Sequence, residues 1–234
     1  MKLLKSINRL MRSNSNETQQ FQGHYIEWRA KRLAAIIDYY KPGFFLGKTV
    51  LEVGCGHGDI GGTLARLGAT VTCSDARAEH LAVAKVRFPD IKTVIADLDR
   101  EWPSGVYDLT IHMGVLYHIR DYRSALRRAC ENCHKMVLET EVADSDDPSY
   151  ELSTAEYGFD QAMNGVGVRP SATGIESVLK DCGLTYTRIS DSRCNSGYHE
   201  YDWSVTNSGQ WRHGLRRFWF AEKCASLPRS SARQ

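Results

Sequence analysis

Three glycines at alternate positions, Gly54, Gly56 and Gly58, follow a short apolar stretch that contains Glu52. Glycine has no Cβ, so it adopts positive φ readily and lets a ligand approach the backbone closely. A glycine-rich turn between a strand and a helix N-terminus is where doubly wound sheets bind nucleotide-like ligands. The dinucleotide fingerprint requires a further glycine at the position of Asp59. On its own, the motif is also compatible with a tight turn that binds no ligand.

Acidic and small residues at the ends of the next apolar runs agree with a nucleotide-like ligand. Asp75 ends the second run, 21 positions after the first glycine of the turn, where a carboxylate can accept hydrogen bonds from ribose hydroxyls. Asp97 and Leu98 follow the third run, and the fourth leads into Met113 and Gly114. These runs are predicted to be strands whose carboxyl ends line one cleft. The structural alternatives are a turn-forming acid at Asp75 and a helix cap at Asp97.

The pattern Glu52-x-Gly54-x-Gly56-x-Gly58 resembles the signature of class I methyltransferases that depend on S-adenosylmethionine (SAM). The resemblance implies a Rossmann-like α/β fold, a seven-stranded sheet with helices on both faces. It also implies SAM as cofactor and S-adenosylhomocysteine (SAH) as product. The glycine turn would then hold the methionine portion, Asp75 the ribose, and Asp97 with Leu98 the adenine edge.

Three further segments resemble the tRNA wobble-uridine carboxymethyltransferase branch and its stand-alone relatives. They are Glu27-Trp28-Arg29, the run from Met113 to His118, and the run from Val137 to Thr140. The lysine expected after the tryptophan is absent, and a carboxylate without a cation is costly to desolvate. Ordinary SAM is therefore expected rather than carboxy-SAM. The candidate cofactor-binding residues are Trp28, Arg29, Glu52, Gly54, Cys55, Gly56, Asp75, Ala76, Asp97, Leu98, Met113 and Gly114.

A general base is needed if the methyl acceptor is a hydroxyl group. His118 and Tyr117 follow the fourth strand and are the candidate catalytic residues, because a neutral imidazole accepts protons near pH 7. A packing role for His118 remains the alternative, and Glu139, Glu141 and His199 are further candidates. An aromatic-rich stretch offers either a stacking face for a sugar or base or a cover for the sheet edge. It contains Tyr198, Tyr201, Trp203 and Trp211.

The formal net charge of +2 conceals a segregation of charge that bears on the acceptor. Residues 1–41 carry eight Lys and Arg against three acids, whereas residues 141–160 carry seven acids and no Lys or Arg. An acidic strip over the cleft would repel nucleic-acid phosphates. We therefore expect methylation of an oxygen, or a nitrogen, of a small polar or sugar acceptor. An RNA-modifying methyltransferase and a non-catalytic SAM-binding partner subunit are the alternatives.

Composition places the chain among ordinary globular proteins, with 42% apolar and 25% charged residues in 234. No apolar run approaches the ~20 residues of a membrane span, and the basic start lacks the apolar core of a signal peptide. Seven cysteines are an odd number, which suits reduced thiols in a cytoplasmic protein. Cys130-x-x-Cys133-His134 has no second cysteine pair, so no metal site is predicted. The oligomeric state stays open.

Alternating strand and helix patterns position these residues within one predicted domain, residues 23–224. A helix that contains Trp28 precedes strands at about 49–53, 70–74, 92–96, 107–113 and 136–140, with helices between them. Residues 141–170 are predicted to be a lid-like loop and residues 191–214 an aromatic insert. Two strands at about 184–190 and 215–222 complete the sheet as an edge hairpin. Residues 1–22 are expected to be a flexible basic segment and residues 225–234 a polar tail.

Overall fold

The computed structural model of the chain describes residue 21 and residues 23–158, 161–212 and 214–224. Its main sheet has seven strands, which are β1 (Thr49–Val53), β2 (Thr70–Asp75), β3 (Lys92–Ile95), β4 (Tyr107–Met113), β5 (Cys133–Glu141), β8 (Leu184–Ile189) and β9 (Arg216–Lys223). They lie in the order β3-β2-β1-β4-β5-β9-β8, which confirms the predicted fold class. The first five are parallel, and β9 runs antiparallel to both β5 and β8.

Helices cover both faces of the sheet because its central strands are apolar on both sides. They are α1 (His24–Tyr40), α2 (Asp59–Arg66), α3 (Ala78–Arg87), α4 (Tyr122–Glu131) and α5 (Ala172–Asp181). Helices α1 to α3 share one buried core with Val50 and Ile111, and α4 and α5 share another with Leu51 and Leu138. Successive side chains of a strand point to opposite faces of the sheet, so a parallel sheet that is covered on both faces has two such cores. Among the described helices, none combines the length and the apolar composition that crossing a bilayer requires.

The interpretation of residues 141–170 as one long loop is wrong. Strand β5 continues to Glu141, and a separate two-stranded antiparallel sheet follows, formed by β6 (Glu151–Ala155) and β7 (Val166–Pro170). The sequence pattern misses this hairpin because β6 is largely exposed and carries polar residues. Ser171 then caps α5 by accepting a hydrogen bond from the Gly174 amide at 3.0 Å.

A buried acid just beyond β5, Asp144, is one anchor of the insert at 191–214. Asp144 accepts hydrogen bonds from the backbone and hydroxyl groups of Thr206 and Ser208, and from the backbone amide of Asn207. The predicted segments 1–22 and 225–234 lie outside the described residues, except for Phe21, which packs against the domain. The hairpin and the anchor of the insert therefore both follow the carboxyl end of β5.

His112 is a fully buried polar residue in β4, between Val53 and Leu138 of the neighbouring strands. Within the described residues, neither ring nitrogen has a hydrogen-bond partner. Burial lowers the pKa of His112 to about 4 because the charged imidazolium would lose its hydration.

This burial makes an acid-dependent contribution to stability. An unfolded histidine has a pKa of ~6.5, so between that value and about 4 the unfolded chain binds the extra proton. Lowering the pH through this window should reduce the free energy of unfolding by up to about 3 kcal/mol through His112 alone. In urea titrations between pH 7.5 and 4.5, the His112→Leu variant should lose less stability than the unmodified protein. His134→Gln, at an exposed histidine, is the control, and equal losses in all three proteins would contradict this assignment.

Candidate functional site

A single cleft at the carboxyl ends of β1, β2 and β4 brings the candidate residues together. It encloses about 1150 Å³ of space, part of which opens to solvent. The candidates that line it are Trp28, Arg29, Glu52, Gly54, Cys55, Gly56, Asp75, Ala76, Asp97, Leu98, Met113, Gly114, Tyr117 and His118. The cleft is also lined by residues that the sequence motifs do not single out, among them Phe21, His57, His80 and Arg32.

The glycine turn has the backbone conformation that its sequence predicts. Gly54, Gly56 and Gly58 have φ values of 60°, 52° and 74°, in the left-handed region. A Cβ on Gly54 would lie 2.6 Å from the Cβ of Val115, so a larger residue cannot be accommodated there without a shift. Glycine is therefore required at position 54 for the close packing of the turn against Val115.

Asp75 is a buried carboxylate attached to this turn. It accepts hydrogen bonds from the amides of Gly56 and Arg77, each at 2.9 Å, and lies 3.2 Å from Nδ1 of His80. Burial alone would raise the pKa of Asp75, but the hydrogen bonds from His80 and the two amides outweigh it and lower that pKa. Asp75 is therefore an ionised acceptor at neutral pH, on the wall of the cleft.

Glu52 is buried at the base of the cleft and accepts a hydrogen bond from the Gly61 amide at 2.8 Å. Burial raises the pKa of Glu52 to about 7, so this carboxyl group is partly protonated near neutral pH. Asp97 is less enclosed, and its carboxylate accepts from the Asp99 amide at 3.1 Å and pairs with Arg100 at 3.4 Å. Asp97 therefore stabilises a local turn, while its side chain still borders the cleft.

Trp28 and Arg29 border the cleft, and both side chains donate hydrogen bonds to other residues of the chain. Trp28 donates from Nε1 to the Tyr201 hydroxyl at 2.7 Å and stacks on His199, with ring centroids 3.8 Å apart. Arg29 donates to the carbonyl of Phe21 at 2.9 Å and lies 3.5 Å from an Asp59 oxygen. Both residues therefore shape the wall of the cleft.

A buried chain of alternating charges, hereafter the charge chain, supports the wall of the cleft that contains Tyr117 and His118. Arg32 and Arg216 both pair with Glu139, at 3.0 and 2.8 Å. Arg216 also lies 3.3 Å from Glu141, which pairs with Arg169 at 2.9 Å. Each of these five side chains is at most about 6% exposed. Both glutamates, considered above as bases, are thus committed to arginines.

The charge chain ends at the candidate base. Arg169 pairs with Glu156 at 2.5 Å, and the other Glu156 oxygen lies 2.5 Å from Nδ1 of His118. Burial would raise the pKa of Glu156, but the hydrogen bond with His118 and the charges of His118 and Arg169 outweigh it and lower that pKa. Because a carboxylate only accepts, Nδ1 of His118 carries the proton of this hydrogen bond, and in the neutral form of the ring Nε2 is then the acceptor. Within the described residues, Nε2 has no hydrogen bond.

Tyr117 differs chemically from its neighbour. Burial raises its pKa well above the usual value, although the Arg216 charge opposes this. Its hydroxyl accepts a hydrogen bond from Arg216 at 3.1 Å. Tyr117 therefore stays protonated and is unsuited to act as a base.

The structure rules out the stacking face considered for the aromatic residues of the insert, and burial reduces the acidic strip over the cleft. The four aromatic residues of the insert do not form one stacking face, because Tyr201 is fully buried and Trp203 stacks on Arg217. Trp211 packs on Arg169, which leaves Tyr198 as the exposed member. The acidic strip is also smaller than its sequence suggests. Its buried members are Glu141, Asp144 and Glu156, each bound to other groups of the protein.

A family model for a methyltransferase domain matches residues 25–189. The chain is 26% identical over 225 residues to the tRNA U34 carboxymethyltransferase of Photobacterium profundum, which covers 88% of this chain and 67% of that protein. It is 37% identical over 102 residues to the ubiquinone biosynthesis O-methyltransferase of Sodalis glossinidius, covering 40% of this chain. The chain spans only 41% of the length of that second relative.

The fold is also similar to that of solved structures. The N-terminal domain of EvdMO1 with SAH bound has a TM-score of 0.67 and 15% sequence identity, with 96% of each chain covered. The same domain in the presence of SAH and D-fucose has a TM-score of 0.63. This likeness concerns the fold. The match of the methyltransferase model to residues 25–189, well over half of the chain, shows that the protein belongs to the class I methyltransferases, enzymes whose cofactor is SAM.

Proposed function

We propose that this protein transfers the methyl group of SAM to an oxygen, or a nitrogen, of a small polar acceptor, with a sugar as the favoured class. The observation that carries the acceptor chemistry is the pair formed by His118 and Glu156 on the wall of the cleft. An imidazole fixed by a carboxylate with its second nitrogen free is suited to accept a proton from a hydroxyl group.

The residues of the cleft fit the cofactor. The glycine turn lines the cleft with residues that have no side chain, and Asp75 offers a buried, ionised carboxylate, the group expected to bind ribose hydroxyls. Asp97 and Leu98 would border the adenine, and Met113 and Gly114 the floor. When bound, SAM supplies an activated methyl group on a sulfonium, so the protein contributes mainly binding, orientation and proton transfer.

His118 would take the proton of the acceptor on Nε2, and Glu156 would hold the ring and stabilise the resulting imidazolium. Arg169, the next member of the charge chain, keeps Glu156 ionised. Tyr117 stays protonated and can donate a hydrogen bond to an acceptor oxygen. Proton transfer by such a pair needs no metal ligand, and the described part of the chain holds no cluster of side chains suited to bind a metal ion.

The charge balance of the site supports a small, uncharged acceptor. Arg32, Arg216 and Arg169 are each paired with a glutamate, so they do not present uncompensated positive charge to a phosphate. The sugar is supported further by the similarity in fold to a domain that was crystallised in the presence of SAH and D-fucose. The seven cysteines, all within the described residues, are free, which supports the cytoplasmic location that we include in the proposal.

RNA modification is the second candidate. It is favoured by the 26% identity to a tRNA U34 carboxymethyltransferase over 88% of the chain. The burial of three acids of the 141–160 segment also weakens the electrostatic objection to RNA.

Turnover assays with labelled SAM separate these functions. Methyl glycosides, free sugars and simple phenols are compared with bulk tRNA at low and moderate salt. We expect methyl transfer to a sugar or another small hydroxyl compound and none to tRNA. Transfer to tRNA that falls steeply with salt would establish the RNA function instead. SAH binding without turnover on any acceptor would favour a non-catalytic partner subunit.

Removal of the Asp75 carboxylate should weaken cofactor binding. Asp75→Ala is expected to lower SAH affinity at least about tenfold in calorimetry, because each hydrogen bond to a charged group contributes ~1.5–3 kcal/mol. Asp38→Ala, at a partly paired surface carboxylate on α1, is the matched control and should bind SAH normally. An Asp75→Ala protein with unchanged affinity would remove Asp75 from the cofactor site.

Substitution of Glu156 should impair turnover without affecting cofactor binding. In Glu156→Gln the amide can donate to Nδ1 of His118, which shifts the ring proton to Nε2 and blocks the base. We expect kcat to fall about 10²- to 10⁴-fold, as for misoriented catalytic histidines, with SAH affinity unchanged within about threefold.

The control for this substitution is Glu151→Gln, an exposed glutamate of the same hairpin. His118→Asn should reproduce the loss, and the double variant should be no worse than either single one, because both changes disable one unit. Full activity of Glu156→Gln, with an intact thermal transition, would show that His118 needs no carboxylate.

A further inference from the structure

Phe21 lies on the wall of the cleft although it precedes the segment 25–189 that the methyltransferase model matches. Its half-buried ring covers the second glycine of the turn. The ring carbons lie 3.1 and 3.2 Å from the place where a Cβ on Gly56 would stand. Gly56 is also the residue whose amide donates to Asp75, so Phe21 adjoins the carboxylate proposed to bind the ribose.

Two buried histidines complete an aromatic box with Phe21. The ring of Phe21 meets His57 at 4.9 Å and His80 at 5.5 Å between centroids, both edge to face. The two imidazoles lie 5.7 Å apart, and His80 also contacts Asp75. Burial, together with the neighbouring His80, lowers the pKa of His57 to about 4, so His57 is uncharged at neutral pH. The box is thus an enclosure of aromatic rings beside a charged hydrogen-bond acceptor.

The position of Phe21 is held by specific contacts. Its φ of 60° lies in the left-handed region, which a bulky residue adopts only when its surroundings impose it. The Phe21 carbonyl accepts a hydrogen bond from Arg29 at 2.9 Å. Arg29 lies 3.5 Å from Asp59, which Arg87 also binds through two hydrogen bonds at 2.9 and 2.7 Å. Arg29 therefore connects Phe21 to the first turn of α2.

We propose that Phe21 is a cofactor-binding residue, which closes the cleft over the glycine turn and shields the hydrogen bonds of Asp75 from water. This inference rests on the proposed function, because it requires the cofactor at this turn. Excluding water strengthens a hydrogen bond to a carboxylate, and the aromatic ring adds apolar contact area. Phe21, which lies upstream of the matched domain, thereby supplies one wall of the cofactor site, and Arg29 acts as the residue that positions it.

The test compares SAH binding by the full chain with Phe21→Ala, Phe21→Leu and a control, Ile26→Ala. Ile26 is 40% exposed on α1 and does not line the cleft. We expect Phe21→Ala to weaken SAH binding at least tenfold in calorimetry, chiefly through faster dissociation in stopped-flow measurements. Phe21→Leu should give an intermediate loss because it keeps apolar cover, and Ile26→Ala should bind as the unmodified protein does. The thermal transition of the ligand-free variants should stay unchanged, which separates this role from a structural one.

Two results would overturn the inference while leaving the proposed function intact. SAH affinity within twofold in Phe21→Ala would show that the ring contributes nothing to the site. Tighter binding would show that Phe21 fills the space that the cofactor needs. Failure of the unmodified protein to bind SAH would instead overturn the proposed cofactor site and this inference together.

Discussion

The charge chain from Arg32 to Glu156 is the constraint on which the side of the cleft that contains His118 depends. Its arginines and glutamates are buried, where an unpaired charge is costly. Removing one member therefore leaves a buried charge without its partner and destabilises the fold. The chain joins α1, β5, β9 and β7 and ends on His118. One electrostatic arrangement therefore fixes the hairpin against the sheet and orients the candidate base.

The register of the sheet makes this arrangement possible. Arg216 of β9 stands directly opposite Glu141 of β5, and Glu139 lies two residues along the same face of β5. A shift of one residue would move Arg216 to the other face of the sheet and separate it from both glutamates. The antiparallel insertion of β9 beside β5 thus has a chemical consequence at the cleft as well as completing the sheet.

Local patterns are sufficient to predict the part of the cleft that the glycine turn and Asp75 form. The glycine turn and Asp75 follow from strand and turn chemistry over a few residues, and the order of the strands then brings them together. The pair of His118 and Glu156 spans 38 positions, and Arg32 and Glu139 are 107 positions apart, so no local pattern indicates those contacts. Counting the acids of residues 141–160 without their partners predicts an acidic surface that burial partly removes. The sequence gives only a weak indication that His80 lies near Asp75, because His80 is in the first turn of the helix that follows Asp75.

We propose that the cofactor binds between the glycine turn and Asp75, with its reacting end toward His118. A crystal structure of the protein with SAH tests this most directly. It should show both ribose hydroxyls on the Asp75 carboxylate and the sulfur on the His118 side of the cleft. SAH bound elsewhere, or with its ribose remote from Asp75, would contradict the account.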